Sequence, residues 1–197
     1  MQISLEDLKK IYNGKTFLAT RGVDENIFYQ TRVFSEKPQE KFTVAFCGKD
    51  GSPEKGLKEF IEPACKKAGV RLIANTRNFT DALTPNQMRE FYNKADAYIV
   101  ASVMDGTPNP ALEAGACGIP IVSNRIGNMP ELIRNHKNGW LVERDIEAYA
   151  RRLIWMKENQ KATFDIGQRL KKNILDEWTW DKVLNKNERN IFREVLK

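Results

Sequence analysis

The amino-acid sequence predicts an α/β protein in which helices cover both faces of a parallel sheet. Short apolar runs rich in β-branched and aromatic residues, such as FTVAF at 42–46, alternate with longer amphipathic segments, and such alternation is typical of parallel sheets. A length of 197 residues with 41% hydrophobic residues is enough for one substantial core. The charged residues, 29% of the total, are dispersed, which argues against a disordered protein.

The predicted elements follow one another in a regular order. Ser4 and Asp7 begin a short capped helix, residues 16–20 have the composition of a strand, and a polar connector, interpreted as an interdomain or exposed loop, extends to about residue 41. Beyond it the pattern predicts strands at 42–46, 70–75, 97–102, 120–123 and 139–143, and helices at 55–68, 85–95, 110–117, 129–135, 145–158, 162–176 and 181–195.

Capping signals support several of the helix boundaries. Thr84 is a good N-cap, Pro85 suits the first helical position and Gln87 completes a capping box. Gly118 is typical of a helix C-terminal stop. The turn WTW then leads into the last helix, and we interpret residues 177–197 as a C-terminal helical cover over the sheet edge.

Cysteine and histidine usage excludes two kinds of site. Cys47, Cys65 and Cys117 are odd in number and widely spaced, and His136 is the only histidine, so we expect neither a disulfide framework nor a metal site. The opening MQISLEDLKK lacks the apolar run of a signal peptide, and no stretch reaches the roughly 18 apolar residues of a membrane span. These features predict a cytoplasmic protein.

Positive charge is in excess but is not gathered in one arm or helix. The formal net charge is +6, and from Arg151 onward twelve Lys or Arg stand against seven Asp or Glu. One interpretation of this region is a solvated helical face, and the alternative is contact with an anionic membrane surface or a phosphorylated partner. Aromatic residues are not interleaved with the basic ones as base stacking requires, so nucleic acid is not an expected partner.

The stretch DGTPNPALEAGACGIPIV, residues 105–122, is the first candidate site. It follows the strand at 97–102, and ligands of open parallel sheets bind at the carboxyl ends of strands. We expect Asn109 to be the N-cap and Pro110 the first helical residue. This start would leave the backbone N–H groups of Ala111 and Leu112 free to bind an anion at the positive end of the helix dipole.

Two carboxylates flank that helix start. Glu113 lies about one turn into the helix, where side chains lean back towards the N-terminus, and Asp105 approaches from the loop. Because carboxylates accept hydrogen bonds from hydroxyls, a ligand with both phosphates and sugars would satisfy the whole set. The alternative is structural, with Asp105 capping a turn and Glu113 pairing with a surface lysine.

Two further loops fall at the same predicted edge. FCGKDGSPEKGL places Gly48 and Lys49 after a strand and Lys55 before a helix. Two such point charges would clamp a diphosphate, although the spacing is not that of a Walker loop and the alternative is that both lysines are simply solvated. In RIGNMPELI, Gly127 and Asn128 form a flexible turn, which by itself indicates only a helix start.

Taken in order, these segments resemble the donor-binding domain of family 4 glycosyltransferases of the GT-B fold. The resemblance covers nearly all of the chain and implies a Rossmann-like sheet that forms the C-terminal half of a GT-B fold. Residues 1–197 would then be a single nucleotide-sugar-binding domain, with 1–30 as the remnant of the preceding domain and its linker. The matching segments are GVDENIF, the Gly-Lys to Lys-Gly loop, NKADAYIVAS, DGTPNPALEAGACGIPIVSNRIGNMPELI, NGWLV and WTWDKV.

The resemblance also implies roles for single residues. The family's two acids, separated by seven residues, fall on Asp105, which would touch the donor sugar, and Glu113, which would hold the ribose hydroxyls. Its phosphate-binding pair falls on Lys49 and Lys55, which would stabilise the departing nucleoside diphosphate in place of a metal ion. Asp105 stands where Glu is commoner and Lys49 where Arg is commoner, and the loop between the lysines is one residue longer.

The implied function is transfer of a sugar, with retention, from a UDP- or GDP-sugar to a hydroxyl of a glycan or lipid-linked acceptor. No metal or other cofactor is implied, and the implied location is the cytoplasm or the inner membrane face. The acceptor domain of such enzymes, with its histidine, has no counterpart here, so the chain is a natural truncated protein, part of a split enzyme, or a fragment. The alternative function is a noncatalytic nucleotide-sugar-binding module that works through a partner chain.

Overall fold

A single parallel sheet forms the centre of the described part of the chain. The computed structural model describes residues 21–34, 41–49, 51–76 and 82–186. Within them the strands run in the order β2-β1-β3-β4-β5, and every neighbouring pair is parallel. The strands are β1 (Thr43–Cys47), β2 (Arg71–Asn75), β3 (Ala97–Val100), β4 (Ile121–Ser123) and β5 (Trp140–Leu141).

Helices connect the strands and pack on both faces, which confirms the predicted fold class. The predicted helix and strand before residue 21, and the part of the last predicted helix after residue 186, lie outside the described residues. The helices are α1 (Glu62–Ala68), preceded by a π-helical turn (Leu57–Ile61), α2 (Pro85–Asn93), α3 (Asn109–Ala116), α4 (Met129–Leu132), α5 (Ile146–Glu158) and α6 (Gln160–Glu177), and residues 180–186 are also helical.

Side-chain and proline chemistry explains where helices differ from the prediction. The helix expected from 55 begins with the π-helical turn, because Pro63 has no N–H with which to continue a regular ladder. The helix expected over 129–135 ends at Leu132, because Asn138 Nδ2 donates to the Leu132 carbonyl at 3.0 Å and replaces the next helical bond. The predicted capping box at Thr84 is confirmed.

The hydrophobic core has one layer on each face of the sheet. Tyr92 of α2, Leu112 of α3 and Ile174 of α6 pack on one face, whereas Ile61 and Leu153 belong to the layer on the other face. These five side chains are fully buried or nearly so. Burial of this kind stabilises the fold by roughly 25 cal/mol per Å² of apolar surface removed from water.

The strand order determines where a ligand can enter. β1 lies between β2 and β3, so the connection that leaves β1 runs towards β2, whereas the connection that leaves β3 runs the other way, towards β4. The connecting loops therefore separate at the carboxyl ends of β1 and β3 and leave a crevice there.

Candidate active site

A cleft of about 350 Å³ occupies this crevice, and we call it the sheet-edge cleft. Its volume falls within the usual size of small-molecule sites. The inner surface is largely apolar and carries a few polar groups at its rim. The lining residues are Phe46, Cys47, Gly48, Lys49, Lys55, Asn75, Ala82, Met88, Tyr98, Ile99, Val100, Ser102, Asp105, Pro108 and Pro110.

Lys55 and Asp105 meet across the sheet-edge cleft, although fifty residues separate them in sequence. The Lys55 Nζ atom lies 2.6 Å from Asp105 Oδ2, and the two side chains are only 27% and 17% exposed. The Val103 N–H also donates to the Glu54 carbonyl at 2.9 Å, which joins the two loops through their backbones. Lys55 is therefore not simply solvated, and its charge is balanced in part by the carboxylate beside it.

Gly48 and Lys49 form the rim beside β1. A Cβ atom at Gly48 would lie 2.6 Å from the ring of Phe46, so no side chain fits there, and the Gly48 N–H donates to the Asn75 carbonyl at 3.1 Å. Lys49 is exposed and lines the sheet-edge cleft. Its ammonium group is therefore accessible to an anion that enters the sheet-edge cleft, and the fold does not bury this group before a ligand binds.

Helix α3 begins one residue earlier than the sequence predicts, and this changes which amides are free. Pro108 is the N-cap and Asn109 the first helical residue. The N–H groups of Ala111 and Leu112 both donate to the Pro108 carbonyl, at 2.9 and 3.4 Å. The prediction that these two are free donors is therefore wrong, because the Pro108 carbonyl closes the first helical turn on them.

Asn109 is consequently not the N-cap that the sequence predicts. It is partly buried, and its side-chain Oδ1 atom has no hydrogen-bond partner among the described residues. Pro108 and Pro110 have no N–H, and the N–H groups of Ala111 and Leu112 are already bonded. Among the described residues, the backbone N–H of Asn109 is therefore the donor at the start of α3 for which no acceptor is present. The anion-binding capacity of the α3 N-terminus therefore rests on Asn109.

Glu113 is held by a tyrosine, and no lysine of the described residues pairs with it. The Tyr92 hydroxyl donates to Glu113 Oε2 at 2.6 Å, and the Glu113 side chain is partly buried. Burial raises the pKa of the Glu113 carboxyl, and the hydrogen bond from Tyr92 opposes that rise. Tyr92 is not among the site residues predicted from the sequence, although its spacing from Met88 on one face of α2 indicates that it points inward.

Cys47 and Tyr98 surround the same tyrosine from the strands below. The Cys47 N–H donates to the Tyr98 hydroxyl at 3.2 Å, and the Cys47 Sγ lies 3.9 Å from the hydroxyl oxygen of Tyr92. Burial raises the pKa of the Cys47 thiol to about 12 and that of both tyrosines well above their usual value. All three groups therefore stay neutral at physiological pH, and Glu113 is the group among the four that can carry charge.

Gly127 and Asn128 support the Asp105 loop from behind and do not line the sheet-edge cleft. Gly127 has a φ of +53°, and a Cβ there would lie 2.6 Å from the carbonyl oxygen of Asp105 and still closer to that of Gly106. The Asn128 N–H donates to the Gly106 carbonyl at 3.0 Å. The side-chain amide of Asn128 is buried without a partner in the described ranges.

The described residues contain no cluster of three or more His, Cys, Asp or Glu side chains that could hold a metal ion. None of the helices among them is both long enough and apolar enough to cross a membrane.

A sequence model of the family described as glycosyl transferases group 1 matches residues 17–173. The chain is 25% identical over 141 residues to an uncharacterized glycosyltransferase of Methanocaldococcus jannaschii, which is 71% of this chain and 35% of that protein. It is 29% identical over 111 residues to D-inositol 3-phosphate glycosyltransferase of Corynebacterium jeikeium, which is 56% of this chain and 26% of the relative. The chain thus spans about a third or less of the length of these curated relatives.

Solved structures share the fold. The C-terminal domain of a glycosyl transferase group 1 family protein, LpcC of Francisella tularensis, superimposes with a TM-score of 0.64 at 23% identity and covers 81% of this chain and 100% of that domain. Anabaena HepE in complex with UDP and glucose gives a TM-score of 0.65 at 16% identity over 90% of this chain and 55% of HepE. The fold is therefore that of a GT-B glycosyltransferase C-terminal domain.

Proposed function

The chain belongs to the glycosyl transferases group 1 family, and from that premise we propose that it is the donor-binding half of a retaining, family 4 glycosyltransferase. The proposed ligand is a UDP- or GDP-sugar bound in the sheet-edge cleft. The observation that carries the proposal is the convergence of Lys49, Lys55 and Asp105 on one cleft at the strand-order reversal. The complex of HepE, which shares this fold, contains UDP and glucose, which supports a nucleotide-sugar donor.

The proposed roles follow from the charges of the site. Lys49 and Lys55 contact the diphosphate, and their positive charge stabilises the negative charge that develops when the sugar leaves. The backbone N–H of Asn109 and the close backbone at Gly48 complete the phosphate contacts. A diphosphate would bring Lys55 a second anionic partner beside Asp105, and the two lysines would supply the charge that a metal ion supplies elsewhere.

Asp105 and Glu113 are proposed to bind the hydroxyl groups of the ligand. Asp105 lies at the rim with Lys55, where its carboxylate would accept hydrogen bonds from the donor sugar. Glu113 would accept hydrogen bonds from the ribose. Retention then follows if the departing phosphate takes the proton of the acceptor hydroxyl on the same face of the sugar.

The proposed reaction also needs a site for the acceptor, which we place outside the region that matches the relatives. The matched relatives extend over about three to four times the length of the matched region, and we propose that a separate N-terminal domain or chain holds the glycan or lipid-linked acceptor. The assignment of residues 1–197 to a single nucleotide-sugar-binding domain, with 1–30 as the remnant of a preceding domain and its linker, stays a prediction. Peripheral contact with an anionic membrane is a second, independent prediction.

Isothermal titration calorimetry with UDP, GDP, UDP-glucose and GDP-mannose tests the proposal. We expect one nucleotide series to bind and the Glu113→Ala variant to bind it more weakly. Absence of binding by all four compounds would overturn the proposal. Turnover with an acceptor, measured with and without an added N-terminal domain, separates an enzyme from a noncatalytic binding module.

A further inference from the structure

The contact between Tyr92 and Glu113 joins two helices beneath the sheet-edge cleft. Tyr92 lies in α2 and Glu113 in α3, and the hydroxyl–carboxylate distance is 2.6 Å. Tyr92 is fully buried, whereas Glu113 retains partial exposure. The carboxylate is therefore held through Oε2 from the protein interior, in a residue that is not fully buried.

Three aromatic rings fix the position of the Tyr92 hydroxyl. The ring centroids of Phe28, Phe91 and Tyr98 lie 6.2, 5.7 and 5.9 Å from that of Tyr92, in tilted or edge-on arrangements. Such packing holds a buried ring in one rotamer. The hydroxyl thus meets Glu113 as a preorganised donor.

Burial and hydrogen bonding determine which groups around Glu113 can be charged at physiological pH. Tyr92 of α2 acts on the Glu113 carboxyl through its hydrogen bond. The Glu113 charge in turn acts on Tyr92, on Cys47 of β1 and on Tyr98 of β3, and burial, the largest cause, keeps the pKa of each above the physiological range. Cys117 follows on its own helix, and the charges of Arg89 on α2 and Lys171 on α6 act on that thiol. Burial raises the pKa of Glu113 and the Tyr92 hydrogen bond lowers it.

We propose that Tyr92 is a positioning residue for nucleotide binding, whose hydroxyl holds Oε2 of Glu113 so that the other carboxylate oxygen faces the ribose. This inference rests on the proposed function. The hydroxyl stabilises the ionised carboxylate, which is the form that accepts two ribose hydrogen bonds. Without the Tyr92 hydroxyl, the Glu113 carboxylate would be free to rotate away from the ribose, and the pKa of Glu113 would be higher.

Calorimetry of the Tyr92→Phe variant with UDP, GDP and their 2′,3′-dideoxy analogues tests the inference. A hydrogen bond to a charged group is strong enough that we expect the variant to lose about tenfold or more in affinity for the ribonucleotide. Its affinity for the dideoxy analogue should stay within about twofold of wild type, because that ligand has no ribose hydroxyl for Glu113 to bind. The carboxyl ¹³C resonance of Glu113 should titrate at higher pH in the variant than in wild type.

Tyr149→Phe is the matched control. Tyr149 is also fully buried, and its hydroxyl contacts the Val100 carbonyl at 2.7 Å and Asn124 Oδ1 at 3.3 Å, so both variants remove the hydrogen-bonded hydroxyl of a fully buried tyrosine. We expect both to unfold at lower temperature than wild type, but the control should keep the wild-type ratio between ribonucleotide and dideoxynucleotide affinities.

The outcomes separate this inference from the proposed function. Absence of nucleotide binding by wild type overturns both. If wild type binds nucleotides but Tyr92→Phe loses the same affinity for ribonucleotides as for dideoxynucleotides, only the inference about Tyr92 is overturned. A measurement that needs no variant is the ¹³Cζ resonance of Tyr92, which should shift when wild type binds the ribonucleotide and stay fixed with the dideoxy analogue; no shift with either ligand contradicts the inference.

Discussion

Replacing Gly127 with alanine tests how rigidly the loop that carries Asp105 is held. The φ of +53° at Gly127 is a left-handed conformation, which costs a residue with a Cβ about 1 kcal/mol. The new Cβ would also lie 2.6 Å from the Asp105 carbonyl oxygen and closer to that of Gly106. These are backbone atoms that cannot rotate aside, and overpacking of this kind costs about 1–3 kcal/mol.

We therefore expect Gly127→Ala to lower the free energy of unfolding by about 2–4 kcal/mol, as measured by urea denaturation followed by tryptophan fluorescence. Gly69→Ala is the matched control, since Gly69 has a similar φ of +61° and its Cβ would meet only Lys157 Nζ at 3.6 Å. The control should lose about 1 kcal/mol. Equal losses in the two variants would refute the inference that Gly127 packs rigidly against the Asp105 loop.

Three further substitutions probe the site and its support. Lys55→Ala should weaken nucleoside-diphosphate binding by about tenfold or more in calorimetry. Lys67, which is exposed and pairs with Glu147 at the surface, is the control, and its replacement with alanine should change binding by less than about twofold. Gly115→Ala would place a Cβ against Ile174, and thermal denaturation should show a loss of about 1–3 kcal/mol. Because burial raises the pKa of Glu113, the folded state binds that proton more tightly than the unfolded state, and stability falls as Glu113 ionises with rising pH. Glu113→Gln, followed by urea unfolding, should therefore gain stability relative to wild type between about pH 4 and pH 7.

For each of these three substitutions, one result would contradict the expected effect. Equal effects of Lys55→Ala and Lys67→Ala on binding would mean that Lys55 contributes only general charge. Wild-type stability in Gly115→Ala would mean that the Ile174 side chain moves aside without cost. A stability difference between Glu113→Gln and wild type that is the same at both pH values would exclude a raised pKa for Glu113.

The sequence predicts the fold and the position of the Lys55 and Asp105 loops at one sheet edge for the same physical reason, although it does not predict the ion pair between the two side chains. Apolar strands alternate with amphipathic helices, and the carboxyl ends of parallel strands share one edge, so loops distant in sequence converge there. The family resemblance led to the same two residues. The capping box at Thr84 is equally local and was predicted correctly.

What the sequence does not predict depends on how helices pack against one another. The bond from Tyr92 to Glu113 requires the register of α2 against α3, which no local pattern contains. The predicted start of α3 is one residue late because Asn109–Pro110 satisfies the rules for a helix N-terminus, whereas the observed N-cap, Pro108, is not a residue type that those rules favour. Gly127 was interpreted as a flexible turn, whereas the close approach of another backbone makes it a rigid contact.

A crystal structure of the chain bound to the nucleoside diphosphate that calorimetry selects tests the central claim most directly. We expect the diphosphate oxygens to lie within hydrogen-bonding distance of both Lys49 and Lys55 in the sheet-edge cleft, with the ribose hydroxyls against Glu113. A nucleotide bound elsewhere, or a diphosphate that contacts neither lysine, would contradict the proposed donor site.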